Sequence, residues 1–127
     1  MSLLLDTHVF LWLDFASPRL PERTRAQILR SEQVVYVSAA SFWEIAIKRC
    51  DRKLIYDGSP RTAAADAGFV ELAIDAADAE AAGDLDWTHR DPFDRMLAAQ
   101  CRNRSLTLVT ADAKLRTCPG IAVLWAC

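Results

Sequence analysis

Five short apolar runs alternate with helical segments along the chain, and this alternation restricts the fold more than any other feature. The runs lie at 3–6, 34–37, 69–74, 106–110 and 121–125. Runs so short and so continuously apolar suit strands buried on both faces, not strands with one face in water. The intervening stretches carry helix signals. Thr7 caps a helix through Val9, Phe10 and Leu13, and Pro21 opens one running to about Arg30. Ser38 caps one to about Lys48, and an Ala-rich helix after Asp57-Gly58-Ser59-Pro60 runs to about Ala67. Asp75 caps a helix ending at Gly83, Asp91-Pro92 starts one running to about Arg104, and residues 112–115 form a short turn. Strands and helices in this order predict an α/β chain whose mostly parallel sheet is covered on both faces. Its ligands bind beyond the carboxyl ends of the strands. With no internal repeat or linker, residues 1–127 read as a single domain.

Charge and cysteine usage narrow the classes. The net charge of -2 argues against a protein that holds nucleic acid by global attraction. Such a substrate has to be held by a local basic patch and by metal. Asp6 interrupts the one apolar run near the amino terminus, which argues against a signal peptide, and no stretch of about 18 apolar residues exists to span a membrane. Cys50, Cys101, Cys118 and Cys127 form no C-x-x-C pair. They read as buried or terminal free thiols in a reducing cytoplasm.

Acidic residues stand at the ends of these elements. Asp6 closes the first strand and Asp112 follows the fourth, while Glu44 interrupts a nearly all-apolar helix and Asp94 lies in the first turn of another. Carboxylates repel one another and resist burial, so several in one pocket need a cation or shared protons. Each has a plainer reading. Glu44 can pair with Lys48 one turn on, Asp94 can complement its helix dipole, and Asp6 and Asp112 can be turn or cap residues. Asp91 reads mainly as the cap of the helix carrying Asp94. The joint placement favours a site for a divalent metal acting on phosphate esters.

Four segments are family-like in order and spacing. They are Leu4-Leu5-Asp6-Thr7-His8, Ser38-x-x-Ser41-x-x-Glu44-Ile45, His89-Arg90-Asp91-Pro92-Phe93-Asp94-Arg95 and Thr110-Ala111-Asp112. Across nearly the whole chain they resemble the PIN-domain ribonucleases, most closely the VapC-type toxins of bacterial toxin–antitoxin pairs. The resemblance implies a three-layer α/β/α sandwich around a five-stranded parallel sheet. It implies an acidic site of Asp6, Glu44, Asp94 and Asp112 holding Mg2+ or Mn2+, with Thr110 and Ser41 in support and Asp91 nearby. It also implies RNA cleavage to a 5′-phosphate and a 3′-hydroxyl, a cognate antitoxin and a homodimer. Magnesium takes oxygen ligands and keeps several waters, so no histidine base is required.

Arg49, Arg52, Lys53, Arg90, Arg95, Arg102 and Arg104 are candidates for holding phosphate, although charged residues more often just cover solvated faces. His8 and His89 read as packing or hydrogen-bonding residues. Of the four tryptophans, Trp87 is expected at the surface and Trp12, Trp43 and Trp125 in the core. The segment 10–13 and the helix 20–28 are expected to supply apolar surface to a dimer. Two rivals remain: an aspartate-nucleophile phosphatase, weakened because His8 stands where a second Asp is needed, and a non-catalytic module whose acidic pocket takes a basic residue of a partner protein.

Overall fold

The structure is a computed structural model describing residues 2–30 and 32–127. Its elements follow the alternation in the sequence. They are β1 (Ser2–Leu5), α1 (Thr7–Asp14), α2 (Glu22–Ile28), β2 (Val34–Ser38), α3 (Ala39–Cys50), α4 (Pro60–Asp66), β3 (Val70–Leu72), α5 (Ala76–Asp84), α6 (Pro92–Arg104), β4 (Thr107–Thr110), a 3-10 turn (Ala113–Thr117) and β5 (Ala122–Trp125). All five strands are parallel, in the order β3-β2-β1-β4-β5. The chain winds outward from β1 through β2 to β3, then returns to the other side of β1 for β4 and β5. The connections leaving β1 and β4 therefore diverge, opening a crevice at their carboxyl ends.

Alternation along β1 shows why its run is continuously apolar. Leu3 and Leu5 point to one face, where they pack with Val35, Val37, Val109, Phe10 of α1, Ile28 of α2 and Ala64 of α4. Leu4 points to the other, against Leu97 and Cys101 of α6 and Leu108 of β4. α5 lies on that side, in contact with α6. The result is a three-layer α/β/α sandwich. α3 sits astride the layers, burying Ala40 in one core and Ile45 in the other. Among the described residues no helix is long and apolar enough to cross a membrane.

Several local expectations are corrected. Asp6, not Thr7, caps α1: its side chain accepts from the Thr7 N–H, and Thr7 is the first helical residue. Pro21 is itself the cap position of α2, which ends at Ile28. Phe10, Leu20 and Ile28 are buried in the core and are not available to a dimer surface. Trp43, expected in the core, lies with Ile47 on the solvent side of α3. Cys50 is exposed, so only Cys101, Cys118 and Cys127 match the thiol expectation. Burial pushes the Cys101 thiol up to about 12, so it is inert.

Arg104 closes a polar cluster beneath α5. The fully buried Asp78 forms a capping box with Asp75 and accepts from Asn103 (3.0 Å) and from Arg104 (2.6 and 2.9 Å). Burial pushes its carboxyl up, but Arg104, the Asp75 N–H and Asn103 outweigh that and hold it well below the usual carboxylate range. Arg104→Met leaves a buried charge without its main partner and is expected to destabilise by about 3 kcal/mol. A depressed carboxyl contributes stability above its unfolded pKa and loses it as pH falls. The loss, measured by thermal unfolding, should therefore be full at pH 7 and shrink below about pH 4. An equal loss at both pH values would contradict this account.

Candidate active site

The carboxyl-terminal crevice is a cavity of about 240 Å³ lined by Asp6, Thr7, His8, Leu11, Glu44, Lys48, Asp91, Asp94 and Asp112. The four expected acids thus meet from four different segments, and Asp91 joins them. Larger hollows elsewhere on the surface lack this concentration of acids.

Each side chain is placed by a local cause. The Asp6 N–H continues the sheet ladder by donating to the Val109 carbonyl (2.9 Å), which carries its carboxyl to the mouth of the crevice. There Asp6 is only 4% exposed, between the Thr7 N–H (2.8 Å) and Thr110, whose hydroxyl donates to its Oδ2 (2.7 Å). The Thr110 oxygen also accepts the Asp112 N–H (3.0 Å), so one hydroxyl ties two acidic positions together. Asp112 itself caps the 3-10 turn. Ser41 stands behind the wall: Thr7 Oγ1 donates to Ser41 Oγ (2.9 Å), bonding α1 to α3. Asp91 caps α6 through the N–H groups of Phe93 and Asp94, so capping and pocket lining coexist in one residue. Glu44 pairs with Lys48 (3.1 Å), and both line the cavity.

Both histidines are hydrogen-bonding residues beside site acids. His89 Nε2 lies 2.6 Å from Asp94 Oδ2. His8 Nε2 accepts the Ala111 N–H (3.0 Å), which assigns the proton of the neutral ring to Nδ1, 3.4 Å from Asp6 Oδ2. Both pairs are close in sequence, two residues apart for His8 and Asp6 and five for His89 and Asp94, but neither spacing is one that marks a metal-ligand pair.

Electrostatically the cavity is over-supplied with negative charge. Burial pushes the Asp6 carboxyl up, reinforced by Glu44, against the pull of His8, Thr110 and the Thr7 N–H. Burial also pushes Asp94 up, to about 6, opposed by the His89 hydrogen bond and reinforced by Asp6 and Asp91. Such a pocket favours a cation or protons. The donors are hard oxygens, which suits Mg2+ or Mn2+. Among the described residues no group of three or more His, Cys, Asp or Glu is drawn together as a ready ligand cage. A cation that keeps most of its waters and takes one or two carboxylates directly fits this arrangement.

The expected basic surface is thinner than its sequence. Arg95 is turned inward, spending all five N–H donors on the carbonyls of Ala82, Gly83, Leu85, Trp87 and His89. Arg104 is held by Asp78 and Asp75. Arg49 donates to the Gly58 carbonyl. Trp87 is half-buried, its Nε1 donating to Thr117 Oγ1. The exposed tryptophan is Trp43 instead.

Comparisons place this fold in a family. The PIN domain family model matches residues 3–120. No curated protein matches the sequence. Among solved structures, the chain is similar to VapBC2 from Rickettsia felis bound to a promoter DNA fragment, at TM-score 0.73 and 15% identity, covering 98% of both chains. It is similar to VapBC-1 from nontypeable Haemophilus influenzae at TM-score 0.70 and 18% identity, covering 98% of this chain and 97% of that one. DNA-bound VapBC from Salmonella typhimurium aligns at TM-score 0.68 and 21% identity, over 100% and 99% of the chains. At these identities the structures speak for the fold. The family match spans most of the chain, and this protein belongs to the PIN domain family.

Proposed function

We propose that the chain is a divalent-metal-dependent endoribonuclease, the toxin of a toxin–antitoxin pair, acting in the cytoplasm. One observation carries the reading: Asp6, Glu44, Asp94 and Asp112 converge on one cavity at the switch point of the sheet, where Asp6 and Asp94 are both pushed up. In this reading Asp6 and Asp94 would hold Mg2+ or Mn2+, and Glu44 and Asp112 would orient water or a second ion. When bound, the ion supplies Lewis-acid stabilisation of phosphate charge and a more acidic water. The chain's own groups hold the acids in place. Thr110 fixes Asp6 and the backbone of Asp112, and His89 fixes Asp94. The products are a 5′-phosphate and a 3′-hydroxyl. A cognate antitoxin and a second copy of the chain are the proposed protein partners, and all 127 residues form the one nuclease domain.

The test is cleavage of a mixed cellular RNA pool by purified protein with Mn2+ or Mg2+, with EDTA, and by Asp6→Asn protein. Cleavage that needs both metal and Asp6 supports the reading; EDTA-resistant cleavage, or full activity in Asp6→Asn protein, refutes it. Metal should also stabilise the fold. At 100 times its Kd, Mn2+ is expected to add about 2.7 kcal/mol, seen as a higher Tm. No shift at saturating Mn2+ would count against a metal site here.

Lys48 favours a second reading. The cavity already takes one cation from its own chain, through Glu44. An arginine from a partner protein would gain bidentate, charge-assisted bonds to the remaining acids. This makes the pocket a binding module if metal-dependent turnover is absent, and an inhibited nuclease if it is present.

A further inference from the structure

Trp43 is an exposed aromatic side chain next in sequence to Glu44 of the acidic cavity, and neither the fold nor the proposed chemistry uses it. It is 62% exposed although it lies mid-helix in α3. Its one ring neighbour is Phe93, at 5.2 Å between centroids and 70° between planes, an edge-to-face contact that leaves most of the indole in solvent. The pair spans the seam between α3 and α6. Trp43 is followed by Glu44 and Phe93 by Asp94, and both acids line the cavity. The Trp43–Phe93 pair is thus flanked in both helices by an acid of the cavity, and its indole is anchored on one side and open on the other. Trp43 lies one helical turn from Ile47, which is also exposed, so this side of α3 carries more than a single apolar side chain.

We infer that Trp43 is a stacking platform for an unpaired nucleobase of RNA next to the scissile phosphate, and so a specificity-determining residue. The inference rests on the nuclease reading and deepens it. Two features favour a base over a protein side chain. The site beside it is one for a phosphodiester. An aromatic face accepts any base by stacking, and recognition of unpaired RNA relies on such faces.

The experiment measures binding without cleavage. Asp6→Asn protein is titrated against a fluorescein-labelled, unstructured 12-nucleotide RNA in Mg2+, by anisotropy, with Trp43→Phe and Trp43→Leu added in turn. Phenylalanine keeps a π face and leucine keeps only apolar cover. Trp43→Phe is expected to stay within about threefold, and Trp43→Leu to weaken binding about 10- to 100-fold, the loss of one stacked base. In protein with Asp6 intact, Trp43→Leu should raise KM and leave kcat within about threefold, because stacking acts on binding. Equal affinity in the Leu variant, no measurable binding by protein with Trp43 in place, or a loss accompanied by a changed mass in sedimentation equilibrium would each overturn the inference, the last because it assigns Trp43 to a contact between copies. Failure of the nuclease reading shows separately, as absent metal-dependent cleavage by wild-type protein in the RNA-pool assay.

Discussion

Asp6→Asn and Asp94→Asn are each expected to lower RNA cleavage by about a thousandfold, equivalent to about 4 kcal/mol of transition-state stabilisation, with the fold retained. The amide has the shape of the carboxyl and can still accept from Thr110 or His89, so local geometry survives while the charge is lost. The Asp94 variant carries a second expectation that separates charge from structure. Its carboxyl sits at about 6, above the ordinary 3.8, chiefly because of burial. The folded state therefore binds this proton more tightly than the unfolded chain. The stability that goes with protonation is full below about pH 4 and is lost as pH rises through about 6. Asparagine never ionises. Metal-free Asp94→Asn protein should thus be more stable than wild type at pH 8, by about 1 kcal/mol once solvent screening at the pocket mouth is allowed for, and equal to it near pH 4. Thermal unfolding in EDTA at the two pH values reads this directly. A variant that is inactive but less stable at pH 8 would mean that Asp94 is a structural anchor, not a strained functional group.

Arg95→Met is expected to cost about 3 kcal/mol, or about 12 °C in Tm, and to lower cleavage as well. One guanidinium satisfies five carbonyls between Ala82 and His89, a stretch that leaves α5 and forms no strand or helix of its own before α6. Without it those carbonyls have to find water and the segment loses its organising centre. His89 rides on this segment, and its ring bonds Asp94. The defect should therefore reach the active site, where small misplacements are costly. Arg95→Lys should rescue little, because an ammonium has three donors and no planar fork. Thermal unfolding and cleavage rate measured together test this; a Lys variant with wild-type Tm would show that a positive charge, not the five-fold bonding, is what matters.

Much of the site was legible because its residues mark element boundaries. Asp6, Ser38, Asp91 and Asp112 stand where strands end and helices begin, and those positions have local signatures in caps, Pro92 and apolar runs. Even there the detail shifted: Asp6 serves as cap and as site acid together, which displaced Thr7 from the capping role and set it in the cavity wall. Long side chains were less legible. Arg95 and Arg104 looked like surface charge, yet each has its head group bound to the protein. An arginine's destination depends on which carbonyls or acids the fold brings within reach, and local sequence does not encode that. The tryptophans inverted for a related reason. Trp87 lies in a polar stretch but packs against the core clusters of α6, Leu85 and Cys118, whereas Trp43 lies in an apolar helix and is mostly exposed.

The sequence by itself determined the strand–helix alternation, the doubly covered sheet and the acids at its carboxyl edge, because strand burial, capping and charge act over a few neighbouring residues. Tertiary structure alone decided that β4 returns to the side of β1 opposite β2, and so that Asp6 and Asp112 share a cavity through Thr110. It alone decided which arginines are spent and which tryptophan faces water. Those outcomes depend on contacts between residues up to 104 positions apart, as between Thr110 and Asp6, and only closure of the whole sheet brings such pairs together.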